Sequence, residues 1–109
     1  FISFGQTAQA TSIRARAFGV QMIAYDPYIE ELGMTRCGVE PISSLEELLR
    51  RSDIVSMHAP SNDEVFHLMS ENEFRLMKPE ALFINNGPGN TVDEKALIKG
   101  LSTGKIFRY

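Results

Sequence analysis

Short apolar runs alternate with helical segments along the whole chain, and this alternation restricts the fold more than any other feature. Runs at 1–4, 20–25, 53–58, 81–85 and 105–109 read as five strands. They are mostly apolar on both faces, as required where helices cover both sides of a parallel sheet. Helical segments at 7–18, 45–51 and 92–101, and a short one after Ser70, separate them. Three of these open on a Ser/Thr-x-x-Glu capping box: Ser44 with Glu47, Ser70 with Glu73, and Thr91 with Glu94. The first helix stops at Gly19, and its alanines, Ile13 and Phe18 are expected to form its apolar side. Leu45, Leu48 and Leu49 share one side of the second helix, and Phe74 and Met77 point inward from the third. Residues 28–40 are mixed, with Gly33 and Gly38 as breakers, and read as a loop with one helical turn. The expected fold class is α/β: a Rossmann-like doubly wound parallel sheet with its first strand truncated. The 109 residues suffice for one domain with a modest core, and no repeat or internal boundary divides them.

Composition narrows the function classes. A net charge of −3, with arginines 14, 16, 36, 50 and 51 scattered among acids, argues against nucleic-acid or anionic-membrane partners and for a solvated surface. No apolar run has membrane-spanning length. The single cysteine, Cys37, has no internal disulfide partner, which fits a reducing, cytoplasmic setting. His58 and His67 have no ligand-like spacing to another His, Cys or acid, so no metal site is expected.

The chemistry concentrates at strand ends. Ser3-Phe4-Gly5-Gln6-Thr7-Ala8 stands where a dinucleotide fingerprint, G-x-G-x-x-G, would lie between a strand and a helix. Gly5 occupies the second position, where the backbone approaches a pyrophosphate. Ala8 at the third adds one methyl to a close helix–strand contact. Ser3 at the first matters only if the backbone there takes a positive φ, which the sequence leaves open. After the next strand comes Asp26-Pro27, at the spacing of an acid that accepts from the ribose hydroxyls of NAD and repels the extra phosphate of NADP. A turn-forming Asp is the alternative, and the two roles are compatible. His58-Ala59-Pro60 ends another strand; the histidine either contacts a nicotinamide ribose or sits satisfied beneath a loop. Asn85-Asn86-Gly87-Pro88-Gly89-Asn90 follows a further strand, as a ligand-facing loop or a plain turn. It lacks the Lys-Ser/Thr ending of a P-loop. His67 reads as structural.

Taken in order, RARAFGVQMIAYDPY, GVEPISSLEELLRRSDIVSMHAP, MKPEALFINN and VDEKALIKGLSTGKI resemble the NAD-binding domain of the D-isomer-specific 2-hydroxyacid dehydrogenases. That family includes D-3-phosphoglycerate, glycerate and formate dehydrogenases and the C-terminal-binding corepressors. The resemblance implies a partial NAD-binding domain over 1–109, with the substrate domain absent from this chain. It implies NAD as cofactor and a homodimer through the nucleotide domain. It places Gly5, Gln6 and Thr7 at the pyrophosphate, Asp26 and Pro27 at the ribose, and His58, Ala59, Pro60, Asn86 and Gly87 beside the dinucleotide. The family's substrate-gripping arginine matches Pro88, which has neither charge nor N–H to offer. Its glutamate and histidine are expected beyond Tyr109, and its final stretch departs at Phe107-Arg108-Tyr109. Three readings follow: the nucleotide domain of an oxidoreductase, a non-catalytic dinucleotide-responsive module, or a degenerate structural fragment.

Overall fold

The structure is a computed structural model that describes residues 1–106, 108 and 109. Helices α1 (Gln6–Arg16), α2 (Glu31–Arg36), α3 (Leu45–Arg51), α4 (Glu71–Leu76) and α5 (Glu94–Ser102) alternate with strands β1 (Ile23–Ala24), β2 (Glu40–Pro41), β3 (Ile54–Met57) and β4 (Leu82–Asn85). β1 pairs with β2 and β3 with β4, both in parallel. Ile2 joins the two pairs through parallel bridges to Tyr25 and Met57, and Arg108 adds a parallel bridge to Leu82 at the far edge. The spatial order is therefore β2, β1, Ile2, β3, β4, Arg108. That is the order of a doubly wound dinucleotide fold, in which the chain winds outward from the centre, returns, and winds the other way.

The central position is held by backbone. Ile2 N–H donates to Ser56 O at 2.9 Å, and His58 N–H returns to Ile2 O at 2.9 Å. On the other side Ser3 N–H donates to Tyr25 O at 2.8 Å, and Tyr25 N–H to Phe1 O at 3.0 Å. The short opening segment thus fills the central slot of the sheet instead of leaving two open edges.

Two apolar clusters flank this sheet. The larger gathers Ile2, Leu48, Leu49, Val55, Met57, Phe74, Phe83 and Leu97 from the central strands and from α3, α4 and α5. The smaller gathers Phe4, Ala8, Met22, Ala24, Met34 and Val39 beneath α1 and α2. Phe74 and Phe83 meet edge to face with centroids 5.5 Å apart in the larger one. Helix cover is incomplete: Ile54 and Ile84, which alternate with the buried Val55 and Phe83, are 56% and 38% exposed.

Several expectations need correction. Residues 28–40 hold a full helix, α2, and lead into a sixth strand position at Glu40–Pro41. No apolar run announces that strand; buried Val39 and Ile42 anchor its two ends. On α1 the buried residues are Ala8 and Ser12, whereas Ile13 and Phe18 are 63% and 87% exposed. Small residues four apart let the helix lie close to the sheet, and the large ones fall on the outer side. The final helix is capped by Asp93, which accepts from the N–H groups of Lys95 and Ala96. Thr91 is buried and donates its hydroxyl to Pro88 O. Ser44 accepts from Glu47 N–H as expected, but the Glu47 carboxylate pairs with Arg51. The Ser70 box closes, with Glu73 accepting from the Ser70 N–H and hydroxyl. The strand at 20–25 narrows to Ile23–Ala24, with a bridge at Tyr25. In the expected strand 105–109, Arg108 bridges β4 and Phe107 lies outside the described residues. Arg50 and Arg51 are solvated and paired with Glu46 and Glu40, as a mixed surface predicts.

Ile2 is fully buried at the junction of the two strand pairs. Ile2→Ala is expected to cost about 2–4 kcal/mol. Urea unfolding followed by circular dichroism checks it, and a loss below about 1 kcal/mol would contradict the central role given to this residue.

Candidate functional site

In open α/β sheets the ligand crevice lies outside the carboxyl ends of the strands, where the winding direction reverses. Here that point is Ile2, between β1 and β3. Four loops converge on it: Ser3-Phe4-Gly5 into α1, Asp26-Pro27 after β1, His58-Ala59-Pro60 after β3, and Asn86-Gly87 after β4. All ten residues expected at the site therefore lie on one end of the sheet.

Ser3 has φ +68, so the first fingerprint position does require the left-handed region. The reason is visible in the cores. Residues two apart in a strand face the same side, yet Ile2 enters the larger cluster and Phe4 the smaller. The left-handed turn at Ser3 carries the chain from one face to the other. A serine there costs about 1–2 kcal/mol relative to relaxed backbone. Ser3 recovers part of it by donating its hydroxyl to Asp26 Oδ2 at 3.0 Å.

Gly5 caps α1 with φ −77, and a Cβ built there would meet nothing within 4 Å. The protein itself thus gives no steric reason for glycine, and the space in front of it is open. Behind it, the first N–H groups of an eleven-residue helix point toward the crevice. Gln6 and Thr7 are exposed at that helix start. Ala8, at the third position, is fully buried and its methyl packs in the smaller cluster, so the close contact has absorbed it.

Asp26 is half-buried and tied to the fingerprint loop. Its Oδ2 accepts from Phe4 N–H at 2.8 Å as well as from Ser3, and its Oδ1 accepts from Tyr28 N–H at 2.9 Å. The turn role and the crevice position coexist, and Pro27 is exposed beside it. Tyr28, which sequence reasoning passed over, donates its phenol to Glu64 and so links the loops after β1 and β3. That contact holds the phenol above its ordinary pKa. Only the position of Tyr28 directly after Asp26-Pro27 could have drawn attention to it.

On the other wall, His58 Nε2 shares a hydrogen bond with the Ser56 hydroxyl at 2.8 Å. Asn86 donates its amide to the same oxygen at 3.5 Å, and its N–H to Met57 O at 3.0 Å. Ser56 has no motif to reveal it; its alternation with buried Val55 and Met57 is the only signal. A Cβ at Gly87 would stand 3.0 Å from Ala59 O, so glycine permits the two loops to touch. Asn85 Oδ1 accepts from Gly87 N–H at 2.9 Å and fixes that turn. Pro88 follows, half-buried, and accepts from Thr91 through its carbonyl. His67 is exposed, adopts φ +50 and stacks on Phe66, and its N–H donates to Asn90 O at 2.8 Å. Among the described residues no three His, Cys, Asp or Glu side chains gather as a metal set, and no helix is long and apolar enough to cross a membrane.

Comparison with known proteins identifies the family of the chain. Residues 1–109 match the model of the D-isomer specific 2-hydroxyacid dehydrogenase, NAD binding domain. The chain belongs to that family. NAD is the cofactor of that domain. D-3-phosphoglycerate dehydrogenase of Methanocaldococcus jannaschii is 37% identical over 105 residues, 96% of this chain and 20% of that protein. Glyoxylate reductase of Thermococcus litoralis is 39% identical over 105 residues, 96% of this chain and 31% of that protein. Among solved structures, apo D-lactate dehydrogenase from Escherichia coli superposes with a TM-score of 0.90 at 32% identity, covering 96% of this chain and 33% of that one. D-lactate dehydrogenase from Aquifex aeolicus, complexed with NAD and lactic acid, gives 0.89 at 32% identity, covering 97% and 31%. The chain thus spans a fifth to a third of the length of these relatives.

Burial pushes the His58 imidazole below its ordinary value of 6.5. The fold therefore prefers the neutral ring. Its contribution to stability is full above pH 6.5 and falls as pH drops from there toward the depressed native midpoint, because the unfolded chain takes the proton first. An NMR titration of the His58 ring should show a midpoint below 6.5, and His58→Gln should flatten the pH dependence of unfolding in that window. A midpoint at or above 6.5 would contradict the assignment.

Proposed function

We propose that this chain is the partial NAD-binding domain of an oxidoreductase, and that the dinucleotide lies across the crevice at Ile2. The observation that supports this reading most is the convergence of the fingerprint loop, Asp26, His58-Ala59-Pro60 and Asn86-Gly87 on one reversal point of the sheet. The pyrophosphate lies at the α1 start, over Gly5, Gln6 and Thr7, where open space and unpaired N–H groups suit an anion. Asp26, beside Pro27, accepts from the adenosine ribose. The nicotinamide half runs past His58, Ala59 and Pro60 toward Asn86 and Gly87.

In the full enzyme such a domain presents NAD for hydride transfer to or from a 2-hydroxy or 2-keto acid, and the protein supplies binding and orientation. The arginine position holds Pro88, which cannot make a bidentate grip on a carboxylate. We therefore hold that the chain alone binds NAD without turning over substrate. Pro88 also favours a second reading, a dinucleotide-responsive module without catalysis, because the substitution is internal. The homodimer implied by the family and the cytoplasmic setting suggested by the lone cysteine belong to the same proposal; the free, half-buried thiol of Cys37 is compatible with a reducing compartment.

Calorimetric titration should show NAD binding tighter than NADP. Asp26→Ala should weaken NAD by roughly 10- to 100-fold, the scale of a hydrogen bond to a charged group, and weaken NADP less. An unchanged preference between the two cofactors would remove the role given to Asp26. Incubation with NAD and a panel of D-2-hydroxy acids, followed by absorbance of the reduced cofactor, should show no turnover, and reproducible turnover would overturn the non-catalytic part of the proposal.

A further inference from the structure

We propose that the Ser3 hydroxyl competes with the adenosine ribose for the Asp26 carboxylate, so that Ser3 sets the affinity of the site. The inference rests on the reading of Asp26 as the ribose acid. A carboxylate offers about four acceptor positions. Three are filled within the protein: Oδ2 takes Ser3 Oγ at 3.0 Å and Phe4 N at 2.8 Å, and Oδ1 takes Tyr28 N at 2.9 Å. One position on Oδ1 remains, whereas two neighbouring ribose hydroxyls ask for two.

The three donors are not equivalent. Phe4 and Tyr28 donate main-chain N–H groups from the two loops that form the crevice, and those groups move only if the loops do. The Ser3 hydroxyl is a side-chain donor that leaves by rotation about one bond. It is thus the group that a ribose hydroxyl displaces. A fingerprint glycine at this position would have no hydroxyl to displace. Serine here fills the acceptor that such a glycine leaves open, in addition to straining a left-handed backbone.

Two variants separate these effects. Ser3→Gly removes both the hydroxyl and the strain, whereas Ser3→Ala removes the hydroxyl and keeps the Cβ at φ +68. Both should bind NAD about three- to tenfold more tightly than the parent by calorimetry, the range of one released hydrogen bond. NAD analogues lacking the adenosine ribose 2′- or 3′-hydroxyl provide a readout that stability alone would not move. Deleting the competing hydroxyl should cost several-fold more affinity in both variants than in the parent. NAD binding that is no tighter in either variant, or equal analogue penalties in all three proteins, overturns the competition and leaves the NAD reading intact. Absence of NAD binding to all three proteins overturns that reading and the competition together.

Discussion

The structure depends on the pairing of three residues at its centre. Phe1, Ile2 and Ser3 exchange four backbone hydrogen bonds with Tyr25, Ser56 and His58. Without them the sheet is two separate two-stranded pairs, β1 with β2 and β3 with β4, and such pairs are marginal in water. With them the two apolar clusters sit on one continuous sheet, and the loops after β1 and β3 stand on either side of one crevice. Main-chain groups do this work, so side-chain identity in the opening segment is constrained mainly by burial at Ile2 and Phe4.

The same segment explains how a fingerprint survives the loss of two glycines. The three positions do different physical jobs. At Ala8 the job is close packing, and a fully buried methyl is accommodated in the smaller cluster. At Ser3 the job is a left-handed turn that switches the chain between faces, and a hydrogen bond to Asp26 partly offsets the strain. At Gly5 the protein imposes no requirement of its own, and glycine remains. The retained glycine is the one whose side chain would project into open space and not into the fold.

Much of this was legible in the sequence. Helix α3, strands β3 and β4, the inward Leu48, Leu49, Phe74 and Met77, and the family itself follow from capping residues, apolar runs and motif order. What escaped reading has physical causes. β2 is two residues long and carries a glutamate and a proline, so it has no periodicity to detect. Helix α1 buries its smallest residues, so hydrophobic size pointed to the wrong side. The φ of Ser3 is set by the need to place Ile2 and Phe4 in different clusters, a tertiary demand absent from local sequence. The contacts of Asn86 with Ser56 and of Tyr28 with Glu64 join segments far apart in the chain, and no spacing rule reaches that far.

The position of Ile2 in the sheet also carries an entropic cost. β1 and β2, and β3 and β4, each close over a modest stretch of chain, whereas Ile2 must reach Met57, half the chain away. Non-local parallel pairing is entropically costly to begin and slow to complete. Among the described residues the pairing of Ile2 with Met57 closes the longest stretch of chain, and it is the pairing that joins the two halves of the sheet. A ligand held there stabilises only the fully assembled sheet. Acquiring the binding surface and completing the sheet then share one pairing.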